Sequence, residues 1–231
     1  MIHVNVTGLS QCRAALLRTS AHAGGVLSWL IDFVLPPLCI ACGADAGRAA
    51  PLCRACRAQM EATTSRGSAT PWAAFAYESP AGALVRALKF GGRLAVADVM
   101  AAQIAAHAPP QLLCGVVVPV PAHRAHSRRR GIDHAAALAR ALASRARLPF
   151  ADCLVRRGDA QPQVGRGRQD RVRGPAGAIA LRAGCQAAPR QVLLVDDVVT
   201  TGATLAACAG ALRAAGSELV RPIVYARTTA R

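Results

Sequence analysis

Four of the nine cysteines stand in two pairs, Cys39-x2-Cys42 and Cys53-x2-Cys56, with ten residues between them. No other feature of the chain limits its fold as tightly. A two-residue spacer lets both thiolates of a knuckle reach one ion, and two knuckles complete a tetrahedral, all-thiolate site. Gly43 supplies the turn freedom that such a loop needs after its first knuckle. The ten-residue gap suits a small ribbon around a structural Zn2+, with Cys39, Cys42, Cys53 and Cys56 as its ligands. A disulfide pair is disfavoured in a reducing cytoplasm. A thioredoxin-like redox motif needs one CxxC opening a helix within a βαβ unit, and the duplicated, Pro-flanked knuckles do not have that form. An iron–sulfur cluster is the remaining alternative. No His, Asp or open coordination position argues for catalysis by this metal. Cys12, Cys114, Cys153, Cys185 and Cys208 are scattered and read as buried or inert thiols.

A chain of 231 residues makes one domain, or one domain with a small appendage, and can bury a core of useful size. The 53% hydrophobic fraction includes 52 alanines, which bury little, and only 8 aromatics, so the core must be Val, Leu, Ile and Ala. The longest apolar stretch, Val26 to Ile40, is broken by Ser28, Asp32 and Pro36-Pro37 and falls short of the ~20 residues of a membrane span. Met1–Ser20 has no compact apolar run with a cleavage site after it, so the chain is expected to stay in the cytoplasm. Val26–Leu35 reads as a short amphipathic helix packed on the body, a membrane-lying segment being the less common fate.

The formal charge of +16 comes from 27 Arg and one lysine, Lys89, against 12 acidic residues. The excess of Arg and Ala has the look of a GC-rich genome, so Arg in place of Lys carries little meaning. The charge itself is physical and attracts polyanions with an affinity that falls as salt rises. Arginines cluster at Arg124 and Arg128–Arg130, then at Arg156, Arg157, Arg166, Arg168, Arg171 and Arg173. A solvated basic face is the plain reading. Nucleic acid and a phosphorylated small molecule both stay open.

The second informative segment is Val192–Thr204, V-L-L-V-D-D-V-V-T-T-G-A-T. Gln191–Val195 is short and apolar enough for a buried strand of a parallel sheet. It is expected to end in Asp196-Asp197, the only adjacent acidic pair in the chain. A Thr-Thr-Gly-Ala-Thr turn follows, then a helix over Ala203–Ala215. Backbone N–H groups from Thr200 to Thr204 and the Thr hydroxyls can surround a phosphate, and Gly202 permits close approach. Two carboxylates at the strand end suit a vicinal diol, directly or through Mg2+. Together a phosphate and a diol describe a ribose 5-phosphate. Ordinary helix caps would need one such residue, not this whole run. The G-x4-G-K-[ST] pattern of a P-loop is absent.

These residues carry a resemblance. VLLVDDVVTTGAT is similar to the phosphoribosyl pyrophosphate (PRPP) motif of type I phosphoribosyltransferases. From about Val26 to Arg227 the chain resembles the ComF/GntX family of double-zinc-ribbon proteins with a phosphoribosyltransferase-like domain. The likeness runs through the four-cysteine segment, Ala87–Arg93 (ALKFGGR), Val118–His134 (VPVPAHRAHSRRRGIDH), Gln161–Ala178 (QPQVGRGRQDRVRGPAGA) and the PRPP motif. It implies Asp196 and Asp197 on the ribose hydroxyls, and Thr200, Thr201, Gly202, Ala203 and Thr204 on the 5-phosphate. It further implies a strand at Val116–Val120, with the loop from Pro119 to Arg130, including Arg124 and Arg130, facing the pyrophosphate. Arg156–Gly177 would be a closing loop offering Arg168 and Arg171 to the leaving group. Lys89 is placed either near substrate or at a solvated helix end.

The chain departs from the family at Arg130-Gly131-Ile132-Asp133-His134, where R-G-F-N-Q is common, at Gly174, where an Asn is usual, and at Ile179, where an aromatic is. Asp133 reads as the N-cap of an Ala135–Arg147 helix, and His134 as a cap or packing residue. The fold expected is α/β: an N-terminal four-cysteine zinc ribbon, then a type I phosphoribosyltransferase-like domain with a mainly parallel, helix-flanked sheet. Residues 1–25 are expected to form a poorly ordered extension, 26–66 the amphipathic lead-in and ribbon, and 67–231 the phosphoribosyltransferase-like domain. Two functions from different classes follow. One is a Mg2+-dependent phosphoribosyltransferase on PRPP with an unidentified acceptor. The other, implied by the resemblance, is a non-catalytic role in DNA uptake, with single-stranded DNA and a competence helicase-type partner. The scarcity of aromatics argues against base stacking on single strands.

Overall fold

The computed structural model describes residues 38–47, 50–62, 71–91, 94–122, 133–156, 179–185 and 187–228. The elements are α1 (Arg54–Ala62), β1 (Trp72–Ala76), α2 (Ala81–Gly91), α3 (Leu94–His107), β2 (Val116–Pro119), α4 (His134–Ala146), β3 (Leu154–Arg156), β4 (Ile179–Leu181), β5 (Gln191–Val199), α5 (Ala203–Ala214) and β6 (Leu219–Arg227), with a 3-10 turn at Pro110–Leu112. Four strands form one sheet in the order β1-β6-β5-β2, and every pairing in it is parallel. A separate antiparallel pair joins β3 to β4.

Parallel strands buried on both faces need near-continuous apolar sequence, and β5 supplies it. Val192, Leu193, Leu194 and Val195 are fully buried, alternating between the two sides of the sheet. Leu193 and Val195 join Val117, Ile223 and Tyr225 beneath α3 and α4. Val192 and Leu194 join Val118, Val220 and Val224 beneath α5, where Leu154 and Ile179 of the small hairpin close the cluster. At roughly 1.5–3 kcal/mol for each fully buried aliphatic side chain, this central strand is a main source of stability.

The alanine excess has a packing use. Along α3 the buried positions are Val96, Ala97, Met100, Ala101 and Ile104, and along α4 they include Ala135, Ala136, Leu138, Ala139, Leu142 and Ala143. Small residues let α3 and α4 lie against each other, with α4 on β2 and β5 and α3 on β1 and β6. The expected α4 cap is present: Ala136 N–H donates to Asp133 Oδ1 at 2.9 Å. Gly115 opens β2 at φ +86°, and a Cβ there would stand 2.6 Å from the Gln191 carbonyl oxygen, so only glycine fits.

The ribbon is not a detached appendage. Cys39, Leu52, Cys56 and Met60 belong to the same buried cluster as Met100, Ile104 and Leu138. A polar relay crosses the same contact: Tyr225 Oη–H donates to Gln103 Oε1 at 2.7 Å, and Gln103 Nε2 meets Met60 Sδ at 3.7 Å. Burial pushes the Tyr225 phenol up, so it remains a neutral donor. The boundary expected between residues 66 and 67 falls in 63–70, outside the described residues, as do the 1–25 extension and the Val26–Leu35 helix. Among the described residues no helix is long and apolar enough to cross a membrane.

Candidate functional site

The first knuckle is tied by backbone bonds before any metal is considered. Gly43 N–H donates to the Cys39 carbonyl at 2.9 Å, and Cys39 N–H to the Ala44 carbonyl at 2.7 Å. Gly43 stands at φ +74°, the left-handed conformation expected of it. The second knuckle opens α1, and Ile40 N–H reaches across to the Pro51 carbonyl at 2.9 Å. The four Sγ atoms of Cys39, Cys42, Cys53 and Cys56 consequently lie within 4.8 Å of one another.

That geometry fits zinc. Zn–S bonds of about 2.3 Å in a tetrahedron place the sulfurs about 3.8 Å apart, and Cys42 Sγ is 3.7 Å from Cys53 Sγ. A disulfide would need about 2.05 Å, and all four cysteines are free thiols. Burial opposes ionisation of Cys39, but N–H groups of Cys53, Cys42 and Ala41 outweigh it and bring its pKa to about 6. Burial and the three neighbouring sulfurs push Cys56 the other way. Four thiols this close cannot all ionise unless a cation compensates them, which is what a structural Zn2+ does. Cys39 and Cys56 are buried and Cys42 is exposed.

The second site forms where β5 meets α5. The expected strand stops at Val195, whereas the observed one continues to Val199, because β6 extends the ladder through Asp196↔Val224 and Val198↔Ala226. The acidic pair therefore lies inside a strand and not at its end. Adjacent strand residues point to opposite faces, and the two carboxylates part. Asp196 faces the turn and, with Val198 and Thr200–Leu205, lines an open cleft. Asp197 turns to the other side and is bound there by Lys89 of α2, Nζ to Oδ1 2.9 Å. Lys89 stands at a helix end, as one of its two readings has it, and there it also pairs with a buried carboxylate.

Gly202 caps α5 at φ +77°, which lets the chain turn directly from strand into helix. The first turn of α5 leaves the N–H groups of Ala203, Thr204 and Leu205 without intrahelical acceptors. Thr201 Oγ1 approaches the first of them at 3.4 Å, and the helix ladder begins with Ala206 N–H on the Gly202 carbonyl at 2.9 Å. Such a helix start, with hydroxyls beside it, receives an anion. Asp196 stands next to it under strain of charge. Burial and the neighbouring Asp197 carboxylate push its pKa up to about 7, against the Asp197 N–H that it accepts at 2.8 Å and the Lys89 ammonium. A cation or a hydrogen-bond donor in the cleft would relieve it. Its carboxylate and the Thr200, Thr201 and Thr204 hydroxyls are hard oxygen donors of the kind Mg2+ takes.

Of the residues singled out from sequence, the structure brings Cys39, Cys42, Cys53 and Cys56 to one point, and Asp196 to the same cleft as Thr200, Thr201, Gly202, Ala203 and Thr204. Arg124, Arg130, Arg168 and Arg171 lie outside the described residues. Sequence reasoning missed Gln103 and Tyr225, which link the ribbon helix to the sheet. They stand 122 positions apart, and neither belongs to a motif.

Residues 30–68 match the family model of the double zinc ribbon domain, so the N-terminal unit is a four-cysteine zinc ribbon. No curated protein matches the chain by sequence. Among solved structures, one described as the allosteric regulatory enzyme of purine biosynthesis is similar at 19% identity and a TM-score of 0.39. The match covers 61% of this chain and 26% of that one, so the chain spans about a quarter of that protein's length.

Proposed function

We propose that the protein binds PRPP, or a related ribose 5-phosphate, with Mg2+ at the β5–α5 turn and transfers the phosphoribosyl group to an acceptor. One observation carries this reading: a carboxylate with a raised pKa, Asp196, shares a cleft with the Thr200–Thr204 turn at the start of a helix. The first-turn N–H groups of α5 and the Thr hydroxyls hold the 5-phosphate dianion. Asp196 accepts from a ribose hydroxyl, and the buried Asp197 backs it from the other face of the strand.

In the transfer, the bond from C1 of the sugar to pyrophosphate breaks and its electron pair leaves with pyrophosphate. The acceptor supplies the pair for the new bond at C1 and then releases a proton. Mg2+, when bound, neutralises charge on the pyrophosphate oxygens. Arg124, Arg130, Arg168 and Arg171 are the arginines we assign to the leaving group, and the cytoplasm is where we place the reaction.

The test is calorimetric titration of the zinc-loaded protein with PRPP, with and without Mg2+, beside the Asp196→Asn/Asp197→Asn double variant. Mg2+-dependent binding that the variant loses supports the site, and pyrophosphate release in a screen of nucleobases then identifies the acceptor. A folded wild type that binds no PRPP sinks the reading. The +16 charge would then favour a role in nucleic-acid handling, read out as a steep fall of DNA affinity with salt.

A further inference from the structure

Lys89 is the single lysine among 28 cationic side chains, and it stands on the one buried acidic side chain of the described residues. The Asp197 side chain is 8% exposed and that of Lys89 is 32% exposed. A carboxylate this deep is costly without a partner. An ammonium is a compact point charge that can bind one carboxylate oxygen, where a guanidinium presents a planar fork matched to both. Lys89 also comes from the last turn of α2, and not from the sheet. Its side chain is partly exposed, so the ammonium can leave Asp197 while β5 and its ladder stay in place.

We propose that Lys89 is a positioning residue of the acidic pair. Its ammonium is the resident counter-ion of Asp197 on the face of β5 away from the Thr200–Leu205 turn, and a divalent cation reaches that carboxylate only by displacing it. The two acids then differ in availability: Asp196 is open to the cleft from the start, and Asp197 is released on demand. The inference does not depend on which ligand fills the cleft, because Asp197 lies on the other face of β5.

Mn2+ is the probe, measured on the zinc-loaded full chain by the loss of its free-ion paramagnetic resonance signal. Lys89→Gln should bind Mn2+ about tenfold more tightly than wild type, since the buried carboxylate has lost its cation. The gain should vanish in Lys89→Gln/Asp197→Asn, and Lys89→Arg, whose fork grips both oxygens, should bind Mn2+ no more tightly than wild type. A merely structural lysine predicts a loss of binding and never a gain. A folded Lys89→Gln with unchanged or weaker affinity overturns the proposal, as does a gain that survives the double substitution. Should Lys89→Gln not fold, the wild type supplies the answer. Its only lysine can be acetylated and followed by mass spectrometry, and saturating Mn2+ should speed that reaction by freeing the amine. An unchanged rate overturns the proposal.

Discussion

The zinc ribbon and the β5–α5 turn are both short motifs, yet they relate to the fold in opposite ways. In the ribbon, four ligands from two knuckles converge within 4.8 Å, so the site is the fold of that segment. At the turn, two adjacent acids diverge to opposite sides of a strand that is stable for other reasons. A site that makes its own fold can be read from spacing alone. A site mounted on a scaffold also needs the register and length of the element that carries it.

The sharpest way to break that contrast is to remove a buried ligand from the ribbon. Cys39→Ser should abolish stoichiometric zinc, measured by elemental analysis. It should also destabilise the whole chain by several kcal/mol, since a structural zinc contributes its binding energy to folding. The effect should spread beyond the ribbon because Cys39 shares a cluster with Met100 and Leu138. Full retention of zinc and of Tm would mean that the four thiols are not a metal site.

Asp196→Asn probes the other side of the contrast, and the sign is opposite. The folded-state pKa of Asp196 is about 7 against 3.8 in a free side chain. Folding is therefore helped by its proton below about pH 4, and that help is lost as pH rises toward and through 7. Relative to wild type, the Asn variant should unfold at similar denaturant concentration at pH 4. At pH 8 it should be more stable by about 2–4 kcal/mol, a gain confined to the ligand-free protein. Its affinity for PRPP should fall. A variant no more stable than wild type at pH 8 would remove the strain that marks this carboxylate as functional.

Much of this was legible in the residues, for reasons that can be named. Val192–Val195 announced a buried strand, Asp133 a helix cap and the two knuckles a ribbon, because each is decided by local chemistry. The continuation of β5 to Val199 was not legible. Asp196-Asp197 looks like a strand terminus until β6 is known to run beside it as far as Arg227. The ion pair of Lys89 was hidden for the same reason, since α2 and β5 meet only in the folded chain. The β3–β4 hairpin joins residues on either side of a long arginine-rich segment and has no signal in periodicity.

Gly202→Ala separates the turn's backbone from its side chains. The position stands at φ +77° with only Val199 Cγ2 near a new methyl, at 3.8 Å. The cost is therefore conformational and not a clash, about 1 kcal/mol in denaturant titrations. Relief of that strain would rotate the Ala203 and Thr204 N–H groups, so phosphate affinity should drop by more than the stability loss alone explains. An unchanged affinity would place the anion elsewhere than on the helix start.

The smallest effect bears on whether the two regions communicate at all. Tyr225→Phe deletes the hydroxyl on Gln103 and leaves that amide oxygen without its 2.7 Å donor, at a cost of about 1 kcal/mol. Met60→Leu keeps an apolar side chain of similar volume and removes the sulfur that Gln103 Nε2 meets at 3.7 Å. If the relay holds the ribbon to the sheet as one unit, the two losses should not add, with a coupling of about 0.5 kcal/mol in a double-mutant cycle. Gln103 is then oriented from both ends, and freeing either end loosens the other. Strict additivity would reduce the relay to two independent contacts. The shared apolar cluster would then carry the attachment of the ribbon to the body.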